Sequence, residues 1–467
     1  MRKFTTLFFL AAAAATVNAA DWGAMSANDH SMLLDLTGKI YVSGSNRYGQ
    51  LGDGHYFDSE VGTYYDTNVF KPVEAGDVKF RYVNASIYSA AAIAFDGTLY
   101  TWGQNGFGQL GQIGVGVYGG VYTPTKVNDD KWAKVKGRAA TMIGIHTDGT
   151  LWSWGRNNGG ALGLGLDDAD LESASTPTQI GTDRWMDCAS GYNHSAAVKA
   201  DGTLWAWGQN SQHQVSNGSE LSVVSPMQIG TDTDWKQVNA GLKMTAALKA
   251  DGTLWTWGNN SESALGRATA DGYDAEPMQV IDHVAQFAVG DQHVLAVKDD
   301  GTLWGWGYNL HGEMGNGTVK NVDTPTQIGT AQWEMIACGS YHSMGMQIDG
   351  SLWTWGWNRY GQLGLGDDNN RQELTECTYK PGDGAVESIA AGADVKVYPT
   401  VVDEMVNVSA DGTIESVAVY GANGQKMGFK QVGAQSTQLN VSHLAAGTYF
   451  VVVKGEASQT TVRFIKK

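Results

Sequence analysis

Four histidines stand at the same place in a repeated segment of the 467-residue sequence, and their pattern could support metal chemistry. Each lies eight residues before a glycine that follows a turn: His30, His194, His293 and His342. Imidazole is a common zinc ligand, so His293, His342 and His30 would form a metal site if a ring brought them together. The favoured alternative is structural, with each imidazole hydrogen-bonded to neighbouring backbone. We therefore predict neither a metal nor a cofactor.

Carboxylates are the second candidate for chemistry, because a pair of them can cleave glycosidic bonds. The repeated aspartates all precede a glycine, so turn formation explains them without catalysis. They are Asp96, Asp148, Asp201, Asp251, Asp300 and Asp349. The sequence contains no G-x-S-x-G, H-E-x-x-H or Walker motif. We predict no catalytic residues and no enzyme, with a polysaccharide-acting enzyme as an alternative.

Aromatic side chains concentrate in two loops, residues 53–72 and 112–124, which we call the rim loops. Both follow the same point of the repeat, so we expect them side by side on one rim. Aromatic rings in surface loops offer large contact area at low entropic cost. The predicted partner-binding residues are Tyr56, Phe57, Tyr64, Tyr65, Phe70, Tyr118 and Tyr122. The alternative is that these rings only pack their own loops onto the protein.

The repeat that positions these residues has a period near fifty residues. Its turn glycines are Gly38, Gly97, Gly149, Gly202, Gly252, Gly301 and Gly350. A period of this size indicates a propeller or a solenoid. Asp-Gly between two apolar stretches predicts a hairpin with a type I′ turn, which needs positive φ at both central residues. Both faces of the following strand are apolar, and propeller blades are covered on both sides.

Tryptophans mark the register of the repeat in three columns. The first column contains Trp152, Trp205, Trp255, Trp304 and Trp353. The second contains Trp102, Trp154, Trp207, Trp257, Trp306 and Trp355, and the third contains Trp22, Trp132, Trp185, Trp235 and Trp333. Only Trp357 falls outside these columns. We predict that the columns fill the space between blades rather than bind a ligand.

The segment from Trp333 to Gly364, WEMIACGSYHSMGMQIDGSLWTWGWNRYGQLG, resembles the repeat of the regulator of chromosome condensation family. The resemblance covers roughly residues 21–390 and implies a seven-bladed β-propeller. Either Trp22–Ala27 or Val386–Gly392 would complete the last blade. The resemblance also implies guanine-nucleotide exchange as an alternative function, although export argues against a GTPase partner.

Residues 393–467 lack tryptophan and contain short alternating strands, which predict a small immunoglobulin-like β-sandwich. Val397-Tyr398-Pro399, the LAAGTY segment from Leu444 to Tyr449 and the terminal VRFIKK resemble the C-terminal sorting domain of type IX secretion cargo. This resemblance implies the type IX secretion machinery as a partner and passage through the outer membrane. The alternative is an ordinary immunoglobulin-like binding module.

The first twenty residues have the character of a signal peptide. Arg2 and Lys3 precede an apolar run from Phe4 to Ala15, and Val17-Asn18-Ala19 fits a cleavage site. No later segment reaches eighteen apolar residues, so we predict no transmembrane segment. The predicted organisation is a signal peptide at 1–20, a propeller at 21–392 and a sorting domain at 393–467. The mature protein would then be secreted or attached to the outer-membrane surface.

Charge and cysteine count narrow the classes of partner and fold. A formal net charge of −17 disfavours nucleic-acid binding. Three cysteines, Cys188, Cys338 and Cys377, exclude a complete disulfide framework. Buried thiols are favoured over a Cys338–Cys377 bridge. Together these features predict an exported, monomeric, non-catalytic recognition protein that binds a protein or glycan through the rim loops.

Overall fold

The computed structural model describes most of the chain, which divides into two compact units, Trp22–Tyr379 and a second unit containing Lys380–Lys467. The described ranges are 22–35, 37–57, 62–63, 65–112, 119–216, 218–379, 396–398, 401–402, 404–421, 426–444, 447–455 and 459–466. The predicted signal peptide at 1–20 lies outside the described residues. So does Val386–Gly392, one of the two candidates for completing the ring.

The first unit consists of antiparallel strands, as the apolar alternation and the Asp-Gly turns predict. They are β1 (Trp22–Ala27), β2 (His30–Asp35), β3 (Ile40–Gly44), β4 (Thr67–Pro72), β5 (Phe80–Ala85), β6 (Ser89–Ala94), β7 (Thr98–Gln104), β8 (Gly120–Gly137), β9 (Thr141–His146), β10 (Leu151–Arg156), β11 (Ser173–Gln179), β12 (Trp185–Ser190), β13 (His194–Lys199), β14 (Leu204–Gly208), β15 (Val223–Ile229), β16 (Trp235–Ala240), β17 (Met244–Lys249), β18 (Leu254–Asn259), β19 (Tyr273–Ile281), β20 (Val284–Val289), β21 (His293–Lys298), β22 (Thr302–Gly307), β23 (Val322–Cys338), β24 (His342–Gln347), β25 (Leu352–Gly356) and β26 (Arg371–Cys377). A short 3-10 turn at Asn158–Gly160 interrupts the connection after β10.

Consecutive strands pair with one another, so each repeat forms a four-stranded meander. Three sheets are separate meanders: β1–β4, β12–β15 and β16–β19. The other two sheets have seven strands, because β8 and β23 are each long enough to serve two meanders. The first part of β8 pairs with β7 and its last part with β9, and β23 joins β22 to β24 in the same way. The last strand of one meander therefore runs directly into the first strand of the next.

Each Asp-Gly pair lies in a hairpin, but the turn is not the predicted type I′. The amide of Gly202 donates to the carbonyl of Lys199 (3.0 Å), and only the glycine has positive φ, at +84°. No aspartate among the described residues has positive φ. This geometry is a type I turn followed by a left-handed glycine, the common three-residue loop. The carboxylate of Asp201 accepts hydrogen bonds from the amide and hydroxyl of Thr203 (3.0 and 2.7 Å), which favours this turn.

The tryptophan columns have the predicted structural role. Second-column indoles are completely buried, and each donates its Nε1–H to a backbone carbonyl of the preceding repeat. Trp207, for example, donates to Ala161 (3.0 Å), and Trp355 to Glu313 (2.7 Å). First-column indoles are partly exposed and donate to a turn hydroxyl, as Trp205 does to Thr203 (2.8 Å). These two columns therefore join turns and neighbouring meanders.

The first and last meanders contact each other directly and close the ring. Trp22–Ala27 pairs with His30–Asp35 in its own sheet, and β26 completes the last meander. Across the junction, the hydroxyl of Ser43 donates to the carbonyl of Gly361 (2.5 Å). Val69 and Leu365 form an isolated bridge. Trp22–Ala27 therefore belongs to the first meander rather than completing the last one.

The second unit contains one sheet in its described residues. Its strands are β27 (Lys396–Tyr398), β28 (Val401–Val402), β29 (Met405–Gly421), β30 (Lys426–Asn440), β31 (Gly447–Gly455) and β32 (Gln459–Lys466). The strand order is β27-β29-β31-β32-β28, and β30 pairs with β29. Alternate residues of β29 and β31, such as Val406, Val417 and Val451, are fully buried and form its core.

The three cysteines are buried and form no disulfide bond, as favoured from the sequence, so the alternative Cys338–Cys377 bridge is absent. Burial raises the pKa of the Cys188 thiol to about 12, as expected for an inert core thiol. No helix among the described residues is long and apolar enough to cross a membrane.

Candidate partner-binding surface

The connections between strands fall into two sets, because neighbouring strands in each sheet are antiparallel. The Asp-Gly hairpins lie at one end of the sheets. The connections between first and second strands, and those between third and fourth strands, lie at the other end. We call this second end the loop face. It carries both rim loops.

The rim loops meet through two stacked tyrosines. The rings of Tyr56 and Tyr122 have centroids 4.2 Å apart and planes inclined by only 19°. The amide of Gly54 donates to the carbonyl of Tyr122 (2.9 Å), which fixes the first loop against the second. Tyr56 is 48% exposed, so the stack presents aromatic surface to solvent. Loops from two adjacent repeats thus form one surface.

The other predicted rim residues have different environments. Tyr65 stacks on His55, with ring centroids 4.8 Å apart, and Phe57 is partly exposed. Tyr64 and Tyr118 lie outside the described residues. Phe70 is only 2% exposed, and a Cβ added at Gly364 would collide with its ring. In other repeats the equivalent glycine contacts a second-column tryptophan, so Phe70 fills that wedge at the ring closure and is not available to a partner.

The repeated histidines are fully buried at the junctions between meanders. Three donate through Nε2 to a hydroxyl of the next repeat: His342 to Ser31 (2.8 Å), His293 to Ser343 (3.0 Å) and His194 to Thr245 (2.9 Å). The hydroxyl of Ser343 itself donates to the carbonyl of Glu313 (2.9 Å), so its oxygen is left to accept from the imidazole. Burial lowers the pKa of these three histidines to about 3. The histidines therefore join neighbouring meanders, although through side-chain hydroxyls rather than the expected backbone.

His30 is the exception, because neither of its ring nitrogens has a hydrogen-bond partner. The place taken by Ser31, Thr245 or Ser343 at the other junctions is taken here by Ala90, which is also fully buried. Among the described residues, no three His, Cys, Asp or Glu side chains are grouped to hold a metal. His293, His342 and His30 thus do not converge on a common site.

A second aromatic surface lies on the loop face, and the sequence interpretation missed it. We call it the Trp357 cluster: Tyr308, His311, Tyr341, Trp357 and Tyr360, all partly exposed. The ring of Tyr341 lies at its centre, with centroids 5.6 Å from Tyr308 and 5.8 Å from His311. Trp357 meets Tyr341 edge-on at 5.8 Å and stacks on His311 at 5.9 Å. The position of Trp357 outside the three columns was the available signal.

A buried carboxyl group lies beside this cluster. Glu313 is fully buried where other repeats carry glutamine, such as Gln50 and Gln362. Its Oε2 accepts the amide of His311 (2.9 Å), as those glutamines accept an equivalent amide, but its Oε1 has no partner. Burial raises the pKa of Glu313 to about 8. Glu313 and Asp291 in turn contribute to raising the pKa of Tyr341, after burial, to about 12.

One ion pair crosses the ring near its axis. The guanidinium of Arg138, at the end of β8, donates from Nε to Asp291 (3.0 Å) and from Nη1 to the carbonyl of Ala240 (3.2 Å). Both charged groups are under 9% exposed. Beside them a cavity of about 140 Å³ is lined by the innermost strand of every repeat. The buried salt bridge thus lies beside the central cavity and joins distant repeats.

The fold defines the class of protein first: an all-β propeller with exposed aromatic surfaces on its loop face. More specifically, the chain belongs to the regulator of chromosome condensation (RCC1) repeat family. The repeat matches residues 96–140, 148–198, 251–297, 300–346 and 349–397, and a second form of it matches 188–214, 235–263 and 284–313. Residues 396–467 match the secretion system C-terminal sorting domain, which confirms that resemblance.

Several characterised proteins share the repeat. The Arabidopsis thaliana ultraviolet-B receptor UVR8 is 29% identical over 218 residues, 45% of this chain and 46% of the receptor. The Xenopus laevis regulator of chromosome condensation is 30% identical over 44% of this chain and 50% of its own. The human probable E3 ubiquitin-protein ligase HERC6 is 28% identical, with 20% of its length covered. The chain thus aligns with about half or less of each relative.

Solved structures show the same fold. Human WBSCR16 superposes with a TM-score of 0.64 at 22% identity, covering 73% of this chain and 95% of its own. Saccharomyces cerevisiae Prp20p gives a TM-score of 0.65 at 20% identity, covering 78% and 90%. At this level of identity the similarity establishes the propeller fold only, so function has to be argued from the surface residues of this chain. The sorting domain adds that the propeller is exported to the cell surface or beyond.

Proposed function

We propose that this protein is an exported, non-catalytic recognition protein that binds a protein or glycan through the rim loops. The observation that carries the proposal is the Tyr56–Tyr122 stack, which joins loops of adjacent repeats and leaves Tyr56 48% exposed. Exposed aromatic rings held rigidly are the usual anchors of binding surfaces. The ring they stand on is proposed to have seven blades, one for each four-stranded meander.

Export follows from the C-terminal unit in this proposal. Residues 396–467 would address the chain to the type IX secretion machinery, after a signal peptide at 1–20 has taken it across the inner membrane. The described sheet of this unit would be part of an immunoglobulin-like sandwich. The RCC1 repeat occurs in relatives named as a receptor, a regulator and a probable ligase, and this variety of roles supports a scaffold function for the repeat here.

A binding screen of the full chain against surface proteins and glycan arrays tests the rim loops. The variant carries Tyr56→Ser and Tyr122→Ser. The matched control is Phe95→Ser, because Phe95 is a 62% exposed aromatic residue beside an Asp-Gly turn on the opposite face. We expect a partner that the control retains and the double variant loses, at unchanged melting temperature. Equal binding by all three proteins would remove the rim loops from the site.

Export is tested separately, by deleting residues 396–467 and locating the protein by surface labelling and cell fractionation. The full chain is expected at the cell surface or in the medium, and the shortened chain inside the cell envelope. Surface exposure of the shortened chain would contradict the role given to the sorting domain.

A further inference from the structure

The Trp357 cluster is a surface that the rim-loop proposal does not use. Its five rings come from the β22–β23, β23–β24 and β25–β26 connections, so two adjacent repeats build it. Leu310, which is 53% exposed, extends it towards solvent. Aromatic rings arranged edge-to-face around Tyr341 expose π faces in several directions, and such faces attract cations.

Several acidic groups lie near the cluster, and one basic residue, the exposed Arg359, stands between Trp357 and Tyr360 in the same connection. Asp291, Asp29 and Glu313 each contribute to raising the pKa of the central tyrosine, Tyr341. Glu262 and Glu313 do the same for Tyr308. Asp291 is paired with Arg138, and Glu262 accepts a hydrogen bond from Asn321 (2.8 Å). Burial raises the pKa of Asp29 to about 6, although its hydrogen bond with Ser340 and the nearby Arg138 lower it, so Glu313 is the carboxyl group without a basic partner.

Glu313 is the least expected part of this arrangement. A glutamine at its position would make the same contact with the His311 amide without burying an ionisable group, as Gln362 does with Tyr360 (3.0 Å). The unpartnered Oε1 belongs to the completely buried Glu313 side chain, which after burial contributes to raising the pKa values of Tyr308 and Tyr341. A buried polar atom without a partner is costly, and such departures from the local pattern are concentrated at functional sites.

We propose that the Trp357 cluster, backed by Glu313, binds the positively charged end of a lysine or arginine side chain on a protein partner. The rings of Tyr341 and Trp357 would surround the cation, and the carboxyl groups of Glu313 and Asp29 would balance its charge. A net charge of −17 on the chain favours the approach of a basic partner. The site is distinct from the rim loops, which lie at the first and second repeats.

Small capped peptides test this proposal on the full chain. The probes are acetyl-Gly-Lys-Gly-amide and acetyl-Gly-Arg-Gly-amide, and the uncharged control replaces lysine by norleucine, which keeps the aliphatic stem. Binding is measured by saturation-transfer NMR titration. We expect the cationic probes to bind about fivefold or more tightly than the norleucine probe, which is the range of a partly desolvated cation–π contact. Equal binding of all three probes would overturn the proposal.

Variants locate the binding. Trp357→Leu is expected to remove the preference for the cationic probes, whereas Phe95→Ser on the opposite face keeps it. Glu313→Gln is the second variant and should fold normally, because glutamine occupies the equivalent place in other repeats. Retention of the preference in both Trp357→Leu and Glu313→Gln would contradict the site. The probes require no partner of the rim loops, so failure here leaves the proposed function standing.

The pH dependence gives an independent readout. Glu313, with a pKa near 8, gains its negative charge as the pH rises from 6.5 to 8.5, while the lysine and arginine probes stay charged. Asp29, with a pKa near 6, ionises mainly below this range, and the pKa of His311 is lowered by burial. Affinity for the cationic probes is expected to rise several-fold over this interval. In Glu313→Gln this increase in affinity should disappear. An increase of the same size in the variant would show that another group causes the pH dependence.

Discussion

At the scale of single residues, the four junctions that contain a repeated histidine differ by one hydroxyl. At three of them an imidazole donates to a serine or threonine that in turn donates to a carbonyl. At the junction after the first repeat, His30 faces Ala90 and both ring nitrogens stay unpaired. The carbonyl that a hydroxyl at position 90 would need is present, since Gln50 already accepts from Trp102 (2.9 Å) as Glu313 does from Trp355.

Ala90→Ser should therefore stabilise the propeller. The new hydroxyl would accept from Nε2 of His30 and donate to the carbonyl of Gln50, which satisfies one buried nitrogen. The expected gain in the free energy of unfolding is about 1 kcal/mol, measured by urea denaturation. The control introduces Ala90→Ser into the His30→Ala variant, where the hydroxyl has no imidazole donor. Compared with His30→Ala alone, the double variant should show no gain in the free energy of unfolding. A destabilised single variant would show that the junction has no room for the oxygen.

Glu313→Gln should stabilise the protein in a pH-dependent way. The pKa of Glu313 is raised from 4.5 to about 8, so the unfolded chain loses this proton at a lower pH than the folded one. The stability contributed by the protonated carboxyl is complete below pH 4.5 and is lost as the pH rises towards 8. The variant should match the parent near pH 4 and exceed it by roughly 2–4 kcal/mol at pH 8. Urea unfolding at pH 4 and pH 8 measures this difference. An equal gain in the free energy of unfolding at both pH values would show that packing, and not ionisation of Glu313, causes the effect.

At the scale of elements, the contact between the rim loops depends on a glycine. Gly49 has φ of +76°, and a Cβ added there would collide with the ring of Tyr122. Gly62, in the same connection between β3 and β4, has φ of +67°, and no atom of the described residues lies within 4 Å of an added Cβ. The two positions thus share the backbone cost of a side chain but differ in the collision.

Gly49→Ala should separate the two rim loops. Both alanine variants are expected to lose about 1 kcal/mol through left-handed strain. Only Gly49→Ala should also displace Tyr122, which we expect to appear as faster protease cleavage at residues 53–57 and 119–124 and as lost partner binding. Equal cleavage rates in Gly49→Ala and Gly62→Ala would mean that the Tyr56–Tyr122 stack does not hold the loops together.

At the scale of elements, the sequence predicts the features that have a local sequence pattern. The hairpins, the tryptophan columns and the sorting domain each follow from local patterns that recur or match a family. The prediction of a type I′ turn was wrong because Asp-Gly is common both in two-residue type I′ loops and in three-residue loops. The hydrogen bond from Thr203 to the carboxylate of Asp201 favours the three-residue loop. The burial of Phe70 and the grouping of Tyr341 with Trp357 escaped prediction because they depend on contacts between repeats that local pattern does not encode.

At the scale of the whole molecule, the ring is closed by packing between its first and last meanders. Its closure relies on contacts such as His342 to Ser31 and Ser43 to Gly361, and no strand of the described residues is shared between the two meanders. Neighbouring repeats elsewhere are connected by the chain itself. A contact that spans the axis should therefore matter more here than in a ring whose ends are joined by strand pairing.

The Arg138–Asp291 pair is that contact, and it links the third repeat to the sixth while Arg138 also reaches Ala240 in the fifth. Arg138→Met leaves Asp291 buried without its partner, and the expected loss is about 3–5 kcal/mol in the free energy of unfolding. Replacing both residues, by Arg138→Met with Asp291→Leu, removes the charges together and should recover most of that loss. Urea denaturation of the parent and the two variants measures both values. If the double variant is as unstable as the single one, the ring depends on the hydrogen bonds of the pair itself. If the single variant is as stable as the parent, packing between the meanders is sufficient to keep the ring closed.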